Sequence, residues 1–303
     1  MLKSNTTRAY AMLAIVMLFW AGNSIVGRAI HGQIPPLTLA WFRWTGALLV
    51  LLPFALPHLR AEAAAIRASW KRLLLLGLLG VASFNAFLYT ALEHMPATNS
   101  LLLQAAIPAL VLLCDRLLYG VRATWLVLAS VLLSTIGVLF VVLHGDFHAL
   151  LALRLGKGEI LMLIAVAVWS LYSSMLRERP AVSQLAFLAV TFAIGVAAMT
   201  PLALWEAASG RHVAWSAGAA GAILYVALFP SLIAYLLFNM AVEAVGAAKA
   251  GQASTLLPLF GALLAALFLG EALHGYHLMG MALILLGIAM SAFSRPAKSV
   301  SGP

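Results

Sequence analysis

Six apolar stretches of this 303-residue chain carry amide and aromatic side chains three or four residues apart, a spacing that sets them on one face of a helix. Trp20 and Asn23 form the first pair and Asn85 and Tyr89 the second; Gln104 stands four residues before Pro108. Trp169 with Tyr172 and Tyr235 with Asn239 continue the pattern, and Gln252 precedes Pro258. Amides hold a carboxylate or an ammonium group, while Trp and Tyr give flat apolar walls and ring faces for a cation. The chemistry on offer is recognition of a small molecule such as an amino acid, weak enough to allow release. The same amides also serve as glue between helices, and Trp as an interfacial belt. Arg43 is the one basic residue well inside an apolar run. It could pair with a Glu or a substrate carboxylate, snorkel outward, or bind carbonyl groups.

Bond-making chemistry finds no support. There is no phosphate-cradling glycine loop, nucleophile elbow or zinc helix motif, so the chain reads as no enzyme. The eight histidines fall in connections or at run ends. His144-Gly-Asp146-Phe-His148 has metal-like residue types on an exposed loop, and no metal or cofactor is expected. The lone Cys114 excludes an intramolecular disulfide.

The elements that position these residues are membrane helices. The chain is 64% hydrophobic and 9% charged, with a mean hydropathy of +1.04. A soluble domain carries roughly a quarter charged residues, so the apolar excess must face lipid. A span needs about 20 apolar residues, and the runs 9–27, 36–56, 73–92, 98–118, 123–143, 158–176, 184–204, 216–237, 246–268 and 275–293 make ten. They are continuous rather than alternating, which excludes a barrel. The longest polar stretches are Leu56–Arg72 and His144–Gly158, and the tail 294–303 reads as disordered.

In a soluble protein a net charge of +9 would point to nucleic acid, but here the basic residues sit in short loops. Thirteen of the 18 Lys and Arg fall on the side of the N-terminus and four on the other, which places both termini in the cytoplasm of a bacterium's inner membrane. Glu93 and Glu271 then face outward and Glu243 inward; solvation of helix ends is their ordinary role, and proton coupling the functional alternative.

A shift of 150 residues lays the third to fifth runs on the eighth to tenth. Glu93 meets Glu243, Pro108 meets Pro258, Gly120 meets Gly270 and Gly137 meets Gly287, while Trp20 meets Trp169 at 149. The units fall at 1–148 and 149–293. Five is odd, so the second copy enters the membrane inverted, and two such halves can open a midplane site to each side in turn. The runs bearing the polar pairs are related two by two: first with sixth, third with eighth, fourth with ninth. A central cavity lined by them follows. Pro108 and Pro258 would serve there as hinges or as static kinks. Gly120, Gly137, Gly270, Gly280 and Gly287 are expected to allow close helix packing.

The stretch from Tyr235-Leu-Leu-Phe-Asn-Met-Ala-Val-Glu243 through Leu257-Pro258 to Gly270-Glu271, with Gly280 and Leu286-Gly287, resembles the second repeat of EamA-type members of the drug/metabolite transporter superfamily. Leu18-Phe-Trp-Ala-Gly-Asn-Ser24, Pro35-Pro36 and Trp41-Phe-Arg43-Trp resemble the first. The resemblance implies an all-α membrane protein of ten helices in two inverted five-helix repeats. It also implies a secondary transporter exporting amino acids, most like the aromatic and neutral branch, or related metabolites. A multidrug or other metabolite carrier is the alternative; an intramembrane lipid-modifying enzyme fits less well. Gly120-Val121 departs from the pattern of Gly270-Glu271, so that acid is present in one half only. Membrane lipid and a small-molecule substrate are the expected partners, with no nucleic acid.

Overall fold

A computed structural model describes residues 2–120, 125–142, 145, 156–245, 253 and 256–292. Among them there is no strand. The first five helical segments are α1 (Leu2–Ala29), α2 (Pro36–Ala61), α3 (Trp70–Leu92), α4 (Ala97–Leu103 continued by Ile107–Tyr119) and α5 (Trp125–Val142). The second five are α6 (Lys157–Met175), α7 (Gln184–Ala208), α8 (Ala217–Ala227 continued to Val245), α9 (Leu256–Leu269) and α10 (Gly275–Ala292). Segments α1, α2, α3, α6, α7 and α8 are each long and apolar enough to cross a membrane; shorter apolar helices lie in α5, α9 and α10, and the interrupted α4 completes two sets of five. The result is an all-α protein of two inverted five-helix repeats. Leu and Ala dominate, the β-branched residues are diluted, and Pro36 enters at a first helical position where its missing N–H costs nothing.

The stretch Leu56–Arg72 is not a loop. Helix α2 runs to Ala61, a short helix covers Ala63–Ala68, and α3 starts at Trp70. Ala, Glu and Arg are strong helix formers and keep the backbone wound beyond the apolar core.

The packing obeys the repeat. Helix α2 lies along α7 and α5 along α10; α1 packs on α8 and α9 as α6 packs on α3 and α4. Gly137 explains one contact: a Cβ there would stand 2.7 Å from the carbonyl oxygen of Gly280, so α5 and α10 meet backbone to backbone. Gly120 and Gly270 do something else. Both adopt a left-handed backbone (φ 65° and 64°), with nothing within 4 Å of where a Cβ would stand. They end α4 and α9 rather than tighten packing.

Two departures from α-helical winding matter for the site. Leu78–Ser83 in α3 and Leu228–Ile233 in α8 are π-helical turns, and they lie 150 residues apart. In α8 the cause is Pro230, which has no N–H for the carbonyl of Val226; the Ser231 hydroxyl donates to that oxygen instead, at 2.8 Å. In α3 the matching residue is Gly80, against which the ring of Tyr172 lies so closely that a Cβ would stand 2.5 Å from it. Helix α4 is interrupted too. Gln104–Ala106 form a 3-10 turn, and Pro108 falls in the first turn of the helix that follows. A first-turn proline removes no helical bond, so the break precedes Pro108 rather than arising at a mid-helix proline. Pro258 is buried in the first described turn of α9.

Candidate functional site

Five side chains from four helices meet at Arg43. Its side chain leaves α2 and is 4% exposed. Nε donates to Ser231 Oγ at 2.7 Å. Nη1 donates to Asn85 Oδ1 at 2.8 Å, to Asn23 Oδ1 at 3.0 Å and to Tyr89 OH at 3.2 Å. Tyr89 in turn donates to Asn23 Oδ1 at 2.6 Å, and Asn85 Nδ2 to the carbonyl of Val81 at 3.0 Å. The π turns place both supports: Val81 lies within the first, and Ser231 within the second. Helices α1, α2 and α3 come from one repeat and Ser231 from the other. The guanidinium carbon stands 4.6 Å from the ring centre of Trp44, a cation–π contact.

The aromatic residues form the adjoining wall. Trp44 packs on Phe192 with ring centres 4.7 Å apart, Phe192 on Tyr235 at 6.2 Å, and Tyr235 on Trp20 at 6.0 Å. The Trp20 indole donates to the carbonyl of Pro230 at 3.0 Å, which is open at the second π turn. Trp169 and Tyr172 lie 5.1 Å apart, and Trp169 also meets Phe84 at 4.7 Å. Of the residues singled out by spacing, Asn23, Asn85 and Tyr89 converge on one cation, and Trp20, Tyr235, Trp169 and Tyr172 flank it. Gln104 does not join them; its amide donates only to the carbonyl of Ser100 on its own helix, at 3.4 Å. Gln252 lies outside the described residues, as do the side chains of Pro108, Asn239 and Glu243 and the residues His144, Asp146 and His148.

A second constellation sits at the end of the bundle away from the N-terminus. Helices α2 and α4 begin Pro35-Pro36-Leu-Thr38 and Pro96-Ala-Thr98, and neither start is capped by a side chain of its own. A carboxylate from the other repeat caps each. Glu206, at the end of α7, accepts from Leu37 N (3.3 Å), Thr38 N (2.8 Å) and Thr38 Oγ1 (2.9 Å). Glu271, just after α9, accepts from Ala97 N (2.8 Å), Thr98 N (3.0 Å) and Thr98 Oγ1 (2.7 Å). Each satisfies orphan N–H groups and sits at the positive end of a helix dipole. Glu271 is thus a cap between repeats rather than a merely solvated acid. Arg211 joins Glu93 and lies 3.5 Å from Glu206 at the same end. At the opposite end the relation reverses: Glu62, at the end of α2, accepts from Ser183 N at the start of α7, at 2.8 Å. In the sequence, the residue that stands 150 positions before Glu271 is Val121, which lies outside the described residues.

His277 also differs from a solvated histidine. It is 3% exposed; Nδ1 accepts from His274 N at 3.1 Å, so Nε2 carries the proton and donates to Asn99 Oδ1 at 2.9 Å.

Arg43, Ser231 and Glu206 were less legible in the sequence than the paired amides. Arg43 is a single charge with several ordinary roles, and Glu206 lies just past the end of an apolar run. The signal for Ser231 is its neighbour Pro230, which frees a carbonyl.

Comparison with known proteins agrees with this architecture. The EamA-like transporter family matches twice, over residues 7–143 and 156–293. An uncharacterized transporter of Archaeoglobus fulgidus is 27% identical over 94% of this chain and 97% of its own length. One from Bacillus subtilis is 22% identical over 92% of both. A protein of Salmonella typhimurium named a probable amino-acid metabolite efflux pump is 27% identical over 95% of this chain and 97% of its own. A crystal structure superposes with a TM-score of 0.67 at 19% identity, covering 97% of this chain and 99% of that one, which bears on the fold alone. Two copies of one family's helical unit, inverted and meeting at a buried polar centre, make this multi-pass membrane protein a member of the EamA-like transporter family, within the drug/metabolite transporter superfamily.

Proposed function

We propose that the chain is a secondary exporter of amino acids or related small metabolites, working by alternating access across a bacterial inner membrane with both termini in the cytoplasm. The observation that carries this reading is the buried centre at Arg43. A cation with amide and hydroxyl partners, shared between two inverted repeats and flanked by Trp and Tyr, is a recognition site where rocking halves must part. The name of the Salmonella relative supports the substrate class. The Lys and Arg distribution supports the orientation, which puts the Glu206 and Glu271 caps on the outer face. In this reading the substrate-contacting set is Trp20, Asn23, Asn85, Tyr89, Trp169, Tyr172 and Tyr235, with Gln104 and Asn239 on helices leading to it, Gln252 a further candidate outside the described residues, and Pro108 and Pro258 the hinge candidates.

Proteoliposomes loaded with labelled amino acids test it. Counterflow above empty liposomes, reduced at least tenfold by Trp169→Ala and by Asn85→Ala, is the expected result. Folded protein that moves no amino acid would refute the substrate class and turn attention to drugs or other metabolites.

A further inference from the structure

We infer that Arg43 selects charge, and that among amino acids and related metabolites the chain prefers an organic carboxylate of net negative charge with an apolar or aromatic body over a zwitterion or a cation. The inference rests on the exporter reading and narrows its substrate.

The first argument is the uncompensated charge. Arg43 is 4% exposed, and its four hydrogen-bond partners are two amides, a phenol and a serine hydroxyl. No carboxylate lies within ion-pair distance of it among the described residues. A lone charge in the middle of a membrane protein is expensive and calls for a counter-charge.

The second argument is the sign of what is unsatisfied. Nε and Nη1 make all four hydrogen bonds of Arg43 among the described residues, which leaves Nη2 without one. The neighbouring Trp44, fully buried and stacked on the guanidinium, has an indole N–H with no partner. Both deficits are of acceptors, and a carboxylate is acceptor only. An ammonium group would need the reverse. Asn23 Oδ1, the amide oxygen that could receive it, already accepts from both Arg43 and Tyr89.

The third argument is the asymmetry of the halves. At the repeat offsets of 149, 148 and 150, the first of these also relating Trp20 to Trp169, Asn23, Arg43 and Asn85 correspond to Tyr172, Thr191 and Tyr235. The offset of 148 relates the helix starts Pro36 and Gln184 and the prolines Pro53 and Pro201. Thr191 is neutral, and its hydroxyl donates to carbonyls of its own helix at 2.8 and 3.1 Å. One half is therefore cationic and polar and the other aromatic, joined through Trp44 and Phe192. That is complementary to a molecule with a carboxylate at one end and an apolar body at the other. An inside-negative membrane potential drives such an anion outward and leaves a zwitterion unaffected.

The test uses the full-length protein in lipid nanodiscs, with calorimetric binding of three molecules of one shape: 3-phenylpropanoate, phenylalanine and 3-phenylpropanamide. The expected order is 3-phenylpropanoate at least tenfold tighter than phenylalanine, with the neutral amide weaker than both, and the preference for the anion lost in Arg43→Gln. Should Arg43→Gln fail to fold, the order on the wild type decides alone. Phenylalanine bound as tightly as the anion, or the amide bound as tightly as either, overturns the inference and makes Arg43 a purely structural bolt. Binding of none of the three overturns it as well. The exporter reading stands or falls separately on the amino-acid counterflow above.

Discussion

Removing the charge from Glu206 and Glu271 should open the end of the transporter away from the N-terminus. Each carboxylate holds three donors, at 2.8–3.3 Å for Glu206 and 2.7–3.0 Å for Glu271, and each ties the start of a first-repeat helix to the second repeat. Glu→Gln keeps one acceptor oxygen but turns an N–H₂ toward backbone N–H donors and removes the charge from the helix N-terminus. Hydrogen bonds to a charged group contribute about 1.5–3 kcal/mol net. Water takes over part of that in the open state, so about 1.4–3 kcal/mol per site distinguishes closed from open, roughly a 10- to 150-fold change in the open-to-closed ratio. If the two sites act independently the factors multiply, and the double variant moves a 1:99 population to between about evenly divided and almost wholly open.

Spin labels report this directly. Cysteines at Gly32, where a side chain meets nothing within 4 Å, and at the exposed Ala208 straddle the contact between α2 and α7, with Cys114→Ser removing the native thiol. Pulsed electron–electron resonance should give a single short distance in the parent and a second, longer one in Glu206→Gln/Glu271→Gln. Thr38→Val, which removes the hydroxyl alone, should shift the ratio by about 1 kcal/mol, near fivefold. A double variant with the parent's distance distribution would refute the idea that these caps hold the gate.

Other perturbations follow from the same contacts. Ser231→Ala leaves both Val226 O and Arg43 Nε without their partner, so thermal unfolding in detergent should show about 1–3 kcal/mol lost, with transport reduced. Gly137→Val drives a side chain into the Gly280 carbonyl, and should cost about 1–3 kcal/mol and part α5 from α10, read as a lowered melting temperature. Gly270→Ala places a Cβ on a left-handed residue with open space around it, so its cost is backbone strain alone, about 1 kcal/mol, and Gly270→Asn should recover part of it.

What the sequence makes legible here is whatever repeats along one helix. Ten spans show because lipid demands continuous apolar runs, and the inversion shows because Pro108 and Pro258, or Gly120 and Gly270, recur 150 residues apart. Asn85 and Tyr89 can be paired on sight because four residues separate them on one face. Arg43 with Ser231, or Glu206 with Thr38, are 188 and 168 residues apart and meet only when helices pack across the repeat boundary, which no periodicity encodes. The π turns were hidden for a related reason: Pro230 announces one, but its mate Gly80 carries no such mark, and only the symmetry joins them.

The symmetry also directs attention to its own failures. A perfectly inverted pair of repeats would cap both ends alike and place equal chemistry on either side of the midplane, leaving inward and outward states equal in energy. In sequence this chain departs at Val121, which stands where the other repeat has Glu271, and at Thr191, where a second cation would answer Arg43. Among the described residues two carboxylate caps, Glu206 and Glu271, lie at the end away from the N-terminus and one, Glu62, at the other, which under the exporter reading proposed above favours a resting state open to the cytoplasm. The second departure would give the proposed site a direction, charged on one side and aromatic on the other, so that a molecule bound there would have one orientation rather than two. In that reading the repeat supplies the motion, and the residues that break the repeat decide which way it rests and what it carries.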